Sequence, residues 1–147
     1  MKYFRKLKFN ATMAAMVSKK SAYHILRIGL GITFLWIGVL IVKDPVGWGG
    51  YIQPWAARLI PIPIKDIMFG TGLLDIGIGA FLIIHIFTGF VAAIAALHLA
   101  VILITAGIND ITVRDIGLLA ATIALTIIEW PRRLDSGTSP KLWPRRQ

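Results

Sequence analysis

Cysteine is absent from the 147-residue chain. That excludes disulfides, thiol relays, haem attachment through thioethers and cysteine-ligated clusters. Charge is scarce too: 16% of residues are charged, where an ordinary soluble domain carries about a quarter. Only 7 residues are acidic, and no group of carboxylates and histidines has metal-ligand spacing, so no metal site is expected. None of the glycines opens onto a helix as a phosphate-cradling loop. There is no low-complexity tract and no convincing repeat.

What is present is apolar. Hydrophobic residues make up 56% of the chain, and mean hydropathy is +0.73. A bilayer crossing needs roughly 20 apolar residues as helix, and four runs meet that length: 22–43, 65–86, 88–107 and 113–130. The expected fold is therefore an all-α integral membrane protein, a single four-transmembrane-helix bundle over 22–130. A basic segment (1–21) precedes it and a basic tail (131–147) follows it. Residues 3–17 read as an interfacial helix, with Phe4 and Leu7 on one side and Arg5, Lys6 and Lys8 turned away.

The net charge of +9 is an orientation signal. Lys2, Arg5, Lys6, Lys8, Lys19 and Lys20 lie before the first run; Arg132, Arg133, Lys141, Arg145 and Arg146 lie after the last. Cationic flanks stay on the cytoplasmic side, so both termini are expected there, in a multi-pass protein of the cytoplasmic membrane. The lipid bilayer is the expected partner of the basic flanks, and nucleic acid is not. Between the first two runs, "DPVGWGGYIQPWAARLIPIPI" is too broken by Gly and Pro to cross. Its Trp48, Tyr51 and Trp55 suit the headgroup boundary, and "PWAARLI" reads as a short interfacial helix in this outer loop. The turn around "HIFTGF" is so short that the second and third runs should form a tight hairpin. Ala92, Ala96 and Ala100 should let the third helix pack closely.

Ionisable groups inside a bilayer are functional candidates. Arg27, Asp75, His98 and Glu129 are the candidates for a polar pocket. Asp75 and His98 fall near the middles of adjoining helices and should touch. Arg27 and Glu129 share the depth of the cytoplasmic end and could pair. Arg114 and Asp115 form an outer-face pair. Thr71, Gly72 and Gly79 flank Asp75 at helical spacing, which turns that acid into the bundle. Purely structural hydrogen bonding is the competing reading for each group. Haem is not expected: only His24 and His85 share a depth that would allow two axial ligands.

Three stretches carry a family resemblance. "LRIGLGITFLWIGVLIVKDP" resembles the first helix of DoxX-like membrane proteins. "LLDIGIGAFLIIHIFTGFVAAIAALHLAVIL" is similar to their second and third helices, and "VRDIGLLAATIAL" to the start of their fourth. The likeness covers residues 22–130. It implies a four-helix bundle associated with respiratory or sulfur-redox membrane complexes, since one branch is a subunit of thiosulfate:quinone oxidoreductase. It also implies protein partners and contact with quinone. Asp75 matches the family's second-helix acid, usually Glu; Arg27 matches the first-helix Arg, and Arg114-Asp115 the fourth-helix pair. Distant relatives use paired cysteines, which this chain lacks.

Three functions stay open on the sequence: a redox-complex subunit, a proton-coupled carrier using Asp75, and an assembly protein with structural polar groups. A second copy of the chain is a further candidate partner.

Overall fold

Proline first appears at Pro45, and up to that point nothing interrupts helix α1 (Lys2–Lys43). In the computed structural model, which describes residues 2–135 and the side chains of residues 19–130, α1 is one continuous helix. The break expected between an interfacial segment over 3–17 and a span starting at 22 is not in the backbone. No helix-breaking residue lies at that junction, so the expected boundary at residue 21 marks no change of conformation.

The helix ends where the sequence places the stop. Asp44 caps α2 (Pro45–Gly49) by accepting a hydrogen bond from the Gly47 amide at 2.9 Å, with Pro45 in the first turn where its missing N–H costs nothing. After α2 comes α3 (Pro54–Ala57), the short helix expected in this loop. Three long helices follow: α4 (Ile64–Ile84), α5 (Thr88–Ala106) and α6 (Val113–Asp135). The described residues contain no strand. The expected stop before Pro131 is not observed, since α6 continues to Asp135; residues 136–147 of the expected tail lie outside the described residues.

Three segments are long and apolar enough to cross a membrane: Lys19–Lys43, Ile64–Ile84 and Thr88–Ala106. Only 28–33% of each apolar window is buried in the protein. Large apolar side chains such as Trp36, Leu97 and Ile104 point outward instead. In water that would be an aggregation surface; in a bilayer it is ordinary. The chain is a multi-pass membrane protein. Helix α6 differs because Arg114, Asp115 and Glu129 leave only residues 116–128 as an uninterrupted uncharged run.

Glycine decides how the helices pair. Helices α1 and α4 run antiparallel, and their glycines meet in two steps, Gly31 with Gly79 and Gly38 with Gly72. Both pairs of glycines are seven residues apart, the repeat that keeps two helices in register around a left-handed supercoil. A Cβ on Gly79 would lie 2.5 Å from the Leu35 nitrogen and 2.6 Å from the Gly31 oxygen, so the backbones touch with no room for a side chain. Helix α5 packs mainly on α6, while α4 and α5 touch much less despite their short connection. The expected tight second–third hairpin is thus two separate pairs, α1 with α4 and α5 with α6. On α5 the fully buried alanines are Ala92 and Ala95, while Ala96 and Ala100 are half-buried. The core between the pairs includes Tyr23, Leu30, Phe34, Ile78, Leu82, Leu99 and Leu125.

Candidate functional site

Asp75 and His98 lie at the centres of α4 and α5. Asp75 is 2% exposed. Its carboxyl Oδ1 lies 3.1 Å from His98 Nε2, the contact expected from helix depth. Gly38 makes this placement feasible: a Cβ there would come within 2.9 Å of the Asp75 Cβ, so the acid occupies space that a larger α1 residue would fill. The contact is close but poorly aligned. Neither Asp75 Oδ1 nor His98 Nε2 has a hydrogen-bond partner.

The pair opens onto a cavity of about 350 Å³ that extends from the helix centres to the end of the bundle formed by the α1–α4 and α5–α6 loops. Its walls are largely apolar, with Phe34 and Ile37 from α1, Leu99 and Ile102 from α5, and Leu118 from α6. Trp48 and Tyr51 of the outer loop border it, their rings 6.2 Å apart. Buried Asp115 and exposed Arg114 join the lining from the first turn of α6. Asp115 sits in the fields of Arg114, Asp75 and His98. The outer-face pair therefore belongs with the Asp75–His98 contact. Arg114 directs its Nε–H to the Ile111 carbonyl at 3.0 Å.

This end of the bundle is held by hydrogen bonds from the loops. Asn109 Oδ1 accepts from the amides of Ile111 and Thr112 at 2.9 and 3.1 Å. The Thr112 hydroxyl donates to the Gly107 carbonyl at 2.5 Å, while the Gln53 amide donates to the Thr105 carbonyl at 2.9 Å. Gln53 thereby satisfies a carbonyl in the last turn of α5, which has no partner within its own helix.

Arg27 and Glu129 do not reach this cavity, which corrects the expected four-residue pocket. They lie at the opposite end, where α1 and α6 meet the α4–α5 turn. Arg27 is buried. Its Nη1 donates to the carbonyls of Leu82 and, at 2.8 Å, Ile83. A guanidinium on the final carbonyls of α4 satisfies orphan acceptors and opposes the negative end of the helix dipole. Glu129 lies within hydrogen-bonding reach of the Tyr23 hydroxyl. His85 Nδ1 is 2.8 Å from the Thr88 hydroxyl and 3.5 Å from that of Tyr23. Tyr23, His85 and Thr88 were not legible as members of this cluster; the only sequence signal was the short turn that puts His85 beside α1. His24 and His85 stand with ring centroids 6.4 Å apart. Among the described residues no group of three or more His, Cys, Asp or Glu could hold a metal ion.

No family model, curated protein or solved structure matches the chain.

Proposed function

We propose that the chain is a DoxX-like, membrane-embedded subunit of a respiratory or sulfur-redox complex. In this reading a quinone-class molecule has its head in the outer-half cavity, and a protein partner supplies the redox centre. The observation that carries it is an apolar cavity of about 350 Å³ with a buried His98–Asp75 contact at its deep end. Binding sites for small apolar molecules combine such walls with a few convergent polar groups. Phe34, Ile102 and Leu118 would hold the ring and the first part of the tail, and His98 and Asp75 would meet the head. A quinone supplies reversible carriage of two electrons and two protons. The chain's own contribution is to bind, orient and exclude water.

In the same reading α6 is a fourth crossing, and the end bearing Tyr23 and Glu129 faces the cytoplasm. The basic residues before Ser21 and after Trp130 support that orientation. Purification of the tagged chain from its native membrane tests the proposal. Quinone should co-extract with the wild-type chain and be depleted from Asp75→Asn and His98→Ala, and a redox enzyme should co-purify. A preparation that contains neither quinone nor enzyme refutes it.

A proton-coupled carrier is the second reading, supported by the two acids, Asp75 and Asp115, that share one cavity. Solute uptake into liposomes that disappears with Asp75→Asn would favour it.

A further inference from the structure

At the deep end of the cavity two polar atoms meet without forming an aligned hydrogen bond. Asp75 Oδ1 and His98 Nε2 are buried, 3.1 Å apart and without a hydrogen-bond partner. Buried polar groups are almost always paired, so an orphan couple facing a cavity indicates that something else completes it. No lining hydroxyl bonds either atom, and two of the four are directed elsewhere. Thr105 directs its hydroxyl to the Val101 carbonyl at 2.8 Å, and Thr112 directs its own to the Gly107 carbonyl.

The chemistry of the two atoms states what fits. In its ionised form a carboxylate oxygen only accepts, so in that form it requires a donor. His98 Nε2 with the ring proton has a donor that the misaligned carboxylate does not receive. It therefore requires an acceptor. The missing group must donate and accept at one atom, and a hydroxyl does both. An oxygen can sit within about 2.8 Å of both partners, an ordinary hydrogen-bond distance. A ketone, quinone carbonyl or ether offers only lone pairs and leaves Asp75 unpaired. A carboxylate or phosphate would face Asp75 with like charge. An ammonium group could donate to Asp75 but has no lone pair for His98.

We infer that the cavity is a site for a hydroxyl-bearing apolar ligand, an alcohol, phenol or hydroquinone, which it selects over the ether or carbonyl compound of the same shape. The inference rests on the reading that the cavity binds a small apolar molecule, and it adds which chemical form is held. For a quinone-class molecule, the favoured form is the reduced one. Phe34, Leu99, Ile102 and Leu118 receive the apolar body.

The test uses the full chain in nanodiscs with a redox-inert pair of probes, 4-pentylphenol and 4-pentylanisole. Binding is read by equilibrium dialysis and corrected for partition into empty discs. The phenol should bind about tenfold or more tighter than the anisole, as expected of one hydrogen bond to a charged group. That advantage should shrink in His98→Gln and Asp75→Asn and disappear in Asp75→Ala, with anisole affinity unchanged. If Asp75→Ala does not fold, by circular dichroism and gel filtration, the two milder variants decide. Equal binding of phenol and anisole overturns the inference and leaves the cavity reading intact, as does an advantage undiminished in every folded variant. If neither probe binds, a water molecule is sufficient for the pair, and the inference and the cavity reading both fail.

Discussion

Replacing Gly79 with alanine tests the packing that holds the fold together. The new methyl would lie 2.6 Å from the Gly31 oxygen and 2.5 Å from the Leu35 nitrogen, both main-chain atoms that cannot swing aside. Moving the oxygen contact from 2.6 Å to the 3.4 Å at which ordinary contact begins requires α1 and α4 to part by about 0.8 Å. A gap of 0.5–1 Å already forfeits roughly a quarter to a half of the dispersion energy across it. In lipid no hydrophobic gain compensates, because helix association there depends on packing. The expected loss is about 1–3 kcal/mol, a factor of roughly 5 to 150 in the folding equilibrium. Gly77→Ala is the matched control on the same helix, where a Cβ meets nothing within 4 Å. It should be neutral or stabilising by up to about 1 kcal/mol. Gly31→Ala should be milder than Gly79→Ala, since its closest contact, at 2.7 Å, is the Ile83 side chain. Combined with Gly79→Ala it should cost less than the sum, because both open the same gap. The assay is unfolding in mixed micelles by increasing dodecyl sulfate, followed by circular dichroism. If Gly79→Ala and Gly77→Ala unfold together, the glycine seam is not what holds α1 against α4.

Gly38→Ala should reduce the phenol-over-anisole preference as well as stability, since its methyl would lie 2.9 Å from the Asp75 Cβ; Gly77→Ala should leave both binding constants alone. Arg27→Met removes the donor to the Leu82 and Ile83 carbonyls. It should destabilise by about 1–3 kcal/mol, with faster hydrogen exchange at the amides around the α4–α5 turn as the local readout. Gly107→Ala should cost about 1–3 kcal/mol, because φ is +69° and a Cβ would meet Gln53 Nε2 at 2.6 Å; adding Gln53→Ala relieves the collision but not the backbone strain, so thermal unfolding should recover only in part. Topology can be read from single cysteines, since the chain has none of its own. Ile108→Cys and Val113→Cys should react with an impermeant maleimide in intact cells, while Ser21→Cys and Trp130→Cys should react only after permeabilisation. Labelling of Val113→Cys and Trp130→Cys from the same side would show that α6 does not cross.

Several helix ends were legible because a residue that stops the helix follows the apolar run, whereas nothing marks residue 21 within α1 and α6 runs past Pro131. The runs read as 65–86 and 88–107 became Ile64–Ile84 and Thr88–Ala106, and the outer-loop helix fell on Pro54–Ala57 within "PWAARLI". The Asp75–His98 contact was legible from depth alone, since a rise of about 1.5 Å per residue puts both groups at mid-helix. The glycine seam was not. On α4, Gly72 and Gly79 have the same seven-residue spacing as Gly70 and Gly77, and the two sets lie about 200° apart around the helix. Asp75 marks the face of Gly72 and Gly79 as the inward one, but nothing local says that α1 is the helix it meets, and only that set is packed. The partner of Arg27 was hidden for another reason. It is not a side chain but a pair of carbonyls, and every residue has one.

The two seams explain why the polar contact lies where it does. Helices α1 and α4 are locked backbone to backbone, and α5 rests on α6, so the weak boundary of the bundle runs between the two pairs, α4 against α5 and α1 against α6. Asp75 belongs to the first pair and His98 to the second, and their 3.1 Å contact crosses that boundary. At the end with the α1–α4 loop the pairs are joined by hydrogen bonds from Gln53 to Thr105 and Ala106. At the other end they are joined through Tyr23, Glu129 and Thr88. In the middle, the polar link between the pairs is the misaligned acid and imidazole. A close-packed middle would have closed the cavity, and a well-made Asp75–His98 hydrogen bond would have left nothing for a ligand to complete. The cavity and the unsatisfied pair thus share one cause: glycine draws α4 toward α1, and α5 is left to α6.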